Sequence, residues 1–202
     1  YELICKEWQG GGQLNLESSF DRHGGAGLEF LFERLAKKSD QKLKIETIYL
    51  IAQILSKSKH RDFYAAFCDR LIPQITSFLG TNDTFRRRLI IALGWVGTLE
   101  QIEILISEMH GSKDSLCRAW AAASLMQMSF HRVAQAILRD KTKSTFLQSI
   151  SNEKDLHACA VMIEAAQILF GKKWISSIAV QDQDTEKIEK ARKMAVKFLG
   201  RD

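Results

Sequence analysis

The sequence predicts an all-α protein, a right-handed α-solenoid of about four helix pairs with extra and capping helices. Three observations predict it. Apolar residues recur at helical spacing along most of the chain. The same stripe returns at intervals of 40, 32 and 42 residues, marked by the small residues Ala52, Ala92, Ser124 and Ala166. The 202 residues include one proline, Pro73, which favours long helices. Hydrophobic residues make up 46% and charged residues 26%, the composition of a globular chain and not of a disordered one.

The first 27 residues carry no clear period. "WQGGGQLNLESSFDRHGGAG" reads as a glycine-rich N-terminal arm over 1–27, or a loop between a short helix and the array. The repeat domain covers 28–202, with units at about 28–57, 71–97, 101–129 and 144–171. In the first unit "GLEFLFERLAKK" precedes a helix striped by Ile45, Ile48, Tyr49, Ala52 and Leu55. In the second, "RLIPQITSFLG" precedes "TFRRRLIIALGWVG", striped by Phe85, Leu89, Ala92, Leu93 and Val96. Asn82 and Asp83 are its N-cap candidates and Gly97 can end it.

The third unit opens on Thr98 and Gln101, a capping-box pair, and continues with Ile102, Leu105, Ile106 and Met109. Its second helix repeats the stripe as Cys117, Ala121, Ser124, Leu125 and Met128, with Arg118 standing where Arg86 stood. In the fourth, "STFLQSIS" precedes Cys159, Met162, Ile163, Ala166 and Leu169. The longer spacings leave room for extra helices near 60–70 and 130–140. A capping helix closes the chain at about 184–199, with Ile188, Ala191, Ala195, Phe198 and Leu199 on one side and Lys187, Lys190, Lys193 and Lys197 on the other.

"LIPQITSFLGTNDTFRRRLIIALGWVG" resembles a HEAT repeat of the phycobilisome-lyase-like type, through Pro73, Asp83, Arg86, Ala92, Leu93, Gly94 and Gly97. The unit at 101–129 keeps Asp114, Arg118 and Leu125 but lacks the glycines. The resemblance implies an armadillo-like α-solenoid and a ladder role for Arg86 and Arg118, bonding turn carbonyls or aspartates between repeats. It also implies that the second helices form the inner layer.

Motifs that carry chemistry are wanting. His23-Gly24-Gly25-Ala26-Gly27 is similar to an esterase oxyanion loop, but no G-x-S-x-G occurs, so a flexible turn is expected. His60-Arg61-Asp62 lacks the magnesium asparagine of a kinase loop, since Phe67 stands there. Gly171-Lys172 lacks the rest of a phosphate loop. Asn82-Asp83-Thr84 is a glycosylation sequon that matters only in a secreted chain. The cysteines Cys5, Cys68, Cys117 and Cys159 form no C-x-x-C pair or zinc spacing and read as reduced core thiols, which favours a cytoplasmic setting. No catalytic residue, metal or cofactor is expected, and no run of 18 apolar residues spans a membrane.

Three adjacent arginines on a helix span about 200°, so Arg86, Arg87 and Arg88 cannot make one clamp; only Arg87 points directly away from the core. The outward row of the second helices contains Thr47, Ile51, Ile54, Arg87, Ile91, Gly94, Ala119, Ala123, Met126, Val161, Ala165 and Ile168. One arginine in that row argues against a phosphate-binding groove. The row is either covered by further helices or is an apolar groove for a partner helix or peptide. The expected function is a non-enzymatic protein-binding scaffold or adaptor, with Arg87, Arg88, Ile91, Trp95, Trp120 and Met126 as the contacts. Two alternatives rest on resemblance: a HEAT-like DNA-binding protein or alkylpurine DNA glycosylase, compatible with the net charge of +5, and a pigment lyase or chaperone-like carrier. The partner expected is another protein or peptide, ahead of nucleic acid.

Overall fold

A computed structural model describes residues 1–10, 22–80 and 84–201. The N-cap candidates Asn82 and Asp83, the sequon they begin and the glycine-rich stretch 11–21 lie outside the described residues. Among the described residues every regular element is helical. The fold is an all-α solenoid type, built of helix pairs whose second helices are enclosed by their neighbours. The chain divides into two compact units, Tyr1–Val96 and Gly97–Asp202.

In the first unit, α1 (Glu2–Gln9) is tied to α3 (Gln41–Lys57) by a 2.8 Å hydrogen bond between the Tyr1 hydroxyl and Thr47 Oγ1. The helix α2 (Gly24–Lys37) buries Leu28, Leu31, Phe32 and Leu35, spaced i, i+3, i+4 and i+7. It starts earlier than its apolar stripe. Gly24 to Gly27, expected as a flexible turn, form its first turn, with Gly24 at φ +54°, a backbone state that glycine enters without a Cβ penalty. The Asp40 carboxylate caps α3 by accepting the Leu43 N–H at 2.8 Å. Almost all sides of α3 are enclosed: Ile45, Ile48, Ile51, Ala52 and Leu55 have no exposure, and Thr47, equally buried, returns its hydroxyl to the Leu43 carbonyl at 2.7 Å.

The next helix, α4 (Tyr64–Leu79), merges the extra helix expected near 60–70 with the one expected from residue 71. Pro73 sits inside it and removes one backbone donor. The buried series Phe67, Cys68, Leu71 and Ile75 runs through that point without a break, so packing outweighs the lost bond. The last helix of the unit, α5 (Arg86–Val96), packs on both α3 and α4 and buries Leu89, Ile90, Ala92, Leu93 and Val96.

The second unit opens as its sequence predicts. Thr98 and Gln101 form a reciprocal capping box around a 3-10 turn (Leu99–Gln101), which leads into α6 (Ile102–Gly111). Asp114 caps α7 (Ser115–His131) through the Leu116 N–H at 2.9 Å, and Asp155 caps α9 (Leu156–Leu169) through the Ala158 N–H at 2.8 Å. Between them α8 (Gln135–Asn152) is one continuous helix, not an extra helix near 130–140 followed by a short one. Its buried face mixes Leu138, Phe146 and Ile150 with Thr142, Thr145 and Ser149, so hydroxyls interrupt the apolar stripe. Thr142 satisfies its own hydroxyl on the Leu138 carbonyl at 2.6 Å.

The closest partnership in the unit is α7 against α9. Small side chains allow it: Ala121, Ala122 and Ser124 on α7, with Ala158, Ala160 and Ala166 on α9, are all buried. A short α10 (Ser177–Gln181) leads to α11 (Thr185–Leu199), which lays Ile188, Ala191, Ala195 and Leu199 against α8 and α9. Phe198 extends that contact, edge-on to Phe170 at 6.3 Å and tilted against Trp174 at 5.6 Å.

Leu125 is fully buried in α7. Leu125→Ala should destabilise the second unit by about 2–5 kcal/mol, the range for a leucine removed from a well-packed core. Urea unfolding followed by circular dichroism measures it.

Candidate functional site

The three arginines at the start of α5 separate into three roles. Arg86 turns back and donates through Nη1 to the Leu79 carbonyl at 2.7 Å, closing the end of α4. Arg88 forms an ion pair with Glu46 of α3, a carboxylate only 8% exposed, and its guanidinium lies 5.9 Å from the centre of the Tyr49 ring. Burial lowers the Arg88 pKa from its ordinary value, the expected direction for a cation drawn out of water. Arg87 alone of the three is exposed. Ile91 and Trp95 are half-buried on the same helix. The Trp95 ring packs against Tyr49 at 5.5 Å and its carbonyl accepts from the Tyr64 hydroxyl at 3.1 Å. Arg88 and Trp95 therefore fix α5 to α3, leaving Arg87 and the outer edges of Ile91 and Trp95 to solvent.

In the second unit Trp120 is 41% exposed. It shares one face of α7 with Ala123, Gln127 and Phe130, at i, i+3, i+7 and i+10. Phe130 is 49% exposed, so two large apolar side chains cap a stripe without a charge. Met126 lies under this face and is buried, so it supports the stripe instead of offering a contact. Sequence reasoning missed Phe130, although its spacing from Trp120 was the available signal. The outward row as a whole is mixed. Thr47, Ile51, Ile54, Gly94, Ala119 and Ala165 are buried, whereas Arg87 and Ile168 are exposed.

A second cluster stands on the other side of α7. The Arg118 guanidinium donates through Nε and Nη2 to the two oxygens of Glu153, both at 2.7 Å, and through Nη1 to the Ser112 carbonyl at 2.7 Å. This bidentate pair joins the start of α7 to the residue that ends α8. The Glu153 side chain is 3% exposed. Burial pushes its carboxyl up, but Arg118 and the backbone amides of Lys154 and Asp155 outweigh that and hold it below its ordinary value. Beside the pair lies a cavity of about 380 Å³, where His110 Nδ1 and Ser149 Oγ stand 3.2 Å apart.

Other chemistry is sparse. Burial pushes the Cys117 thiol up to about 11, with Asp114 adding to the effect, and moves Cys159 in the same direction. Neither is a thiolate at neutral pH. Among the described residues no group of three or more His, Cys, Asp or Glu side chains could hold a metal ion, and no helix is long and apolar enough to cross a membrane.

Helix pairs returning at intervals of 32 to 42 residues, with a carbonyl-binding arginine at matching points, define a helical-repeat protein. A family model described as HEAT repeats matches residues 28–126, and this segment of the chain belongs to the HEAT-repeat family. Comparisons with curated proteins and with solved structures give no match. HEAT repeats are commonly protein-interaction scaffolds.

Arg118→Ala should destabilise the second unit by about 3–5 kcal/mol in denaturant unfolding, because it leaves a buried carboxylate without its cation. The Glu153 pKa is depressed on folding from 4.5, so the stability this group adds is complete above that value and is lost as pH falls through the folded value. Glu153→Gln should therefore flatten the acid limb of the stability–pH curve; an unchanged limb would contradict the assignment.

Proposed function

We propose that the chain is a non-enzymatic protein-binding scaffold or adaptor. The observation that carries the reading is the uncharged, aromatic-capped stripe of α7, Trp120 to Phe130. Exposed tryptophan and phenylalanine at one-face spacing suit the apolar side of a partner helix or peptide, which would bury them without desolvating a charge. The first unit contributes Arg87, Ile91 and the exposed edge of Trp95. Arg88 and Met126 act beneath these surfaces, the first by holding α5 on α3 and the second by packing under the α7 stripe. A phosphate-binding role suits this stripe poorly, since counterion release needs repeated cations and α7 offers none there. The four cysteines, all buried and free, fit a reducing compartment such as the cytoplasm.

The test is affinity capture with the immobilised chain, read by mass spectrometry. Trp120→Ala and Arg87→Glu should each weaken retention of a captured protein by about tenfold, a typical interface anchor effect. Circular dichroism and melting should stay near wild type. An unchanged capture profile, or loss of folding in both variants, would contradict the reading.

A further inference from the structure

We propose that the segment docking on the α7–α9 face is a basic amphipathic helix of another protein, with a lysine or arginine set against Glu164. This rests on the reading of the α7 stripe as a protein-binding surface, and it names what that surface accepts.

The face is wider than the α7 stripe. α7 and α9 pack side by side, and α8 lies against both. The sides of α7 and α9 turned away from α8 therefore open in the same direction. On α7 that side carries Trp120 and Phe130 without a charge. On α9, His157, Val161, Glu164 and Ile168 share one stripe that reaches solvent, at i, i+4, i+7 and i+11. Ile168 is 39% exposed. The short α10 adds Ile178, 69% exposed. Its neighbour Ser177 donates to Glu164 Oε1 at 2.5 Å, which places α10 beside that carboxylate. Glu164 thus stands between Val161 and Ile168 on its own helix, with Ile178 alongside.

The carboxylate has no cation. The hydrogen bond from Ser177 is its one interaction among the described residues. His157 is seven residues back, roughly 10 Å along the helix axis. Lys172 lies past the end of α9 and turns onto the Phe198 ring, 4.6 Å from its centre. Lys173 follows Lys172 beyond the helix end, and the charge that follows α10 is another acid, Asp182.

Two constraints define the occupant. A partner that covers Trp120, Phe130 and Ile168 also takes Glu164 out of water, and a desolvated carboxylate is strongly unfavourable without a cation. A wholly apolar segment, or one with an acid at this point, is therefore rejected. A lysine or arginine amid apolar side chains meets the need. The second constraint concerns the backbone. The face offers few polar side chains, Gln127 and Glu164 among them, and no strand edge among the described residues. An extended peptide would bury unpaired N–H and C=O groups there, whereas a helix arrives with its backbone bonds made.

The test is selection of displayed helical peptides on the immobilised full chain. Each peptide carries an apolar face, with its flanking positions varied among Lys, Arg, Gln, Asp and Glu. On the wild-type chain Lys and Arg should exceed Asp and Glu about tenfold at one flanking position. Glu164→Lys should reverse that preference. Glu164→Gln, which keeps an acceptor for Ser177, should erase it, and decides the matter alone if Glu164→Lys fails to fold by circular dichroism. Trp120→Ala should weaken retention of the selected peptides about tenfold. Peptides that need Trp120 but show one charge preference on wild type and both Glu164 variants would overturn this inference and leave the scaffold reading standing. Retention that survives Trp120→Ala, or no retention of any peptide, would also overturn it, and protein capture then decides the scaffold reading on its own.

Discussion

The structure depends on second helices that are buried over most of their circumference. In α3, Ile45 and Ile48 face one side and Leu50 and Ile54 the other, and all four are buried. In α9 the same holds for Ala158 and Met162 on one side and Ala160 and Ile163 on the other. A helix that buries apolar residues on opposite sides cannot stand alone in water. Each therefore needs cover on both flanks, which is what a stack of helix pairs supplies. The small residues in the series are the geometric condition for that cover. Ala52, Ala92, Ser124 and Ala166 are all buried and keep side chains short where neighbouring helices approach.

Close packing creates a second problem, the carbonyls left without partners at each helix end. The sequence answers with arginines carried on later helices. Arg86 closes the end of α4 on Leu79. Arg118 takes Ser112 and also reaches Glu153 in the next pair. Arg192 of the terminal helix donates to the Glu153 carbonyl at 3.0 Å, so that one residue is held from two helices. These side chains orient the pairs, and their charge is directed into the protein instead of toward a ligand. The triple arginine at 86–88 accordingly does not form a basic clamp.

Where one face alternates cleanly, the fold was legible in the sequence. The stripes of α3, α5, α7 and α9, the Thr98 capping box and the final amphipathic helix were all readable. Boundaries failed where a competing signal was stronger. Thr142, Thr145 and Ser149 hid the continuity of α8, the unit start at 71 fell inside α4, and the glycines at 24–27 masked the opening of α2. The surface was only partly readable. Helical angle identified Arg87 as outward, but Arg88 shares its chemistry and differs only in facing Glu46, which no spacing rule reveals. Glu153 was missed because its significance arises from Arg118, 35 residues away.

Among the described residues α7 keeps an uncharged aromatic stripe, Trp120 to Phe130, in water and carries the Arg118–Glu153 pair on its other side. Both are positioned by the same helix, so their geometry is only as firm as the packing of α7 on α9. Native-state hydrogen exchange tests that packing most directly. If the second helices require cover on both flanks, the central amides of α7 and α9 should open together, with one shared free energy and one shared denaturant dependence. Amides of α9 that exchange through a separate, lower-energy opening while those of α7 stay protected would contradict the account.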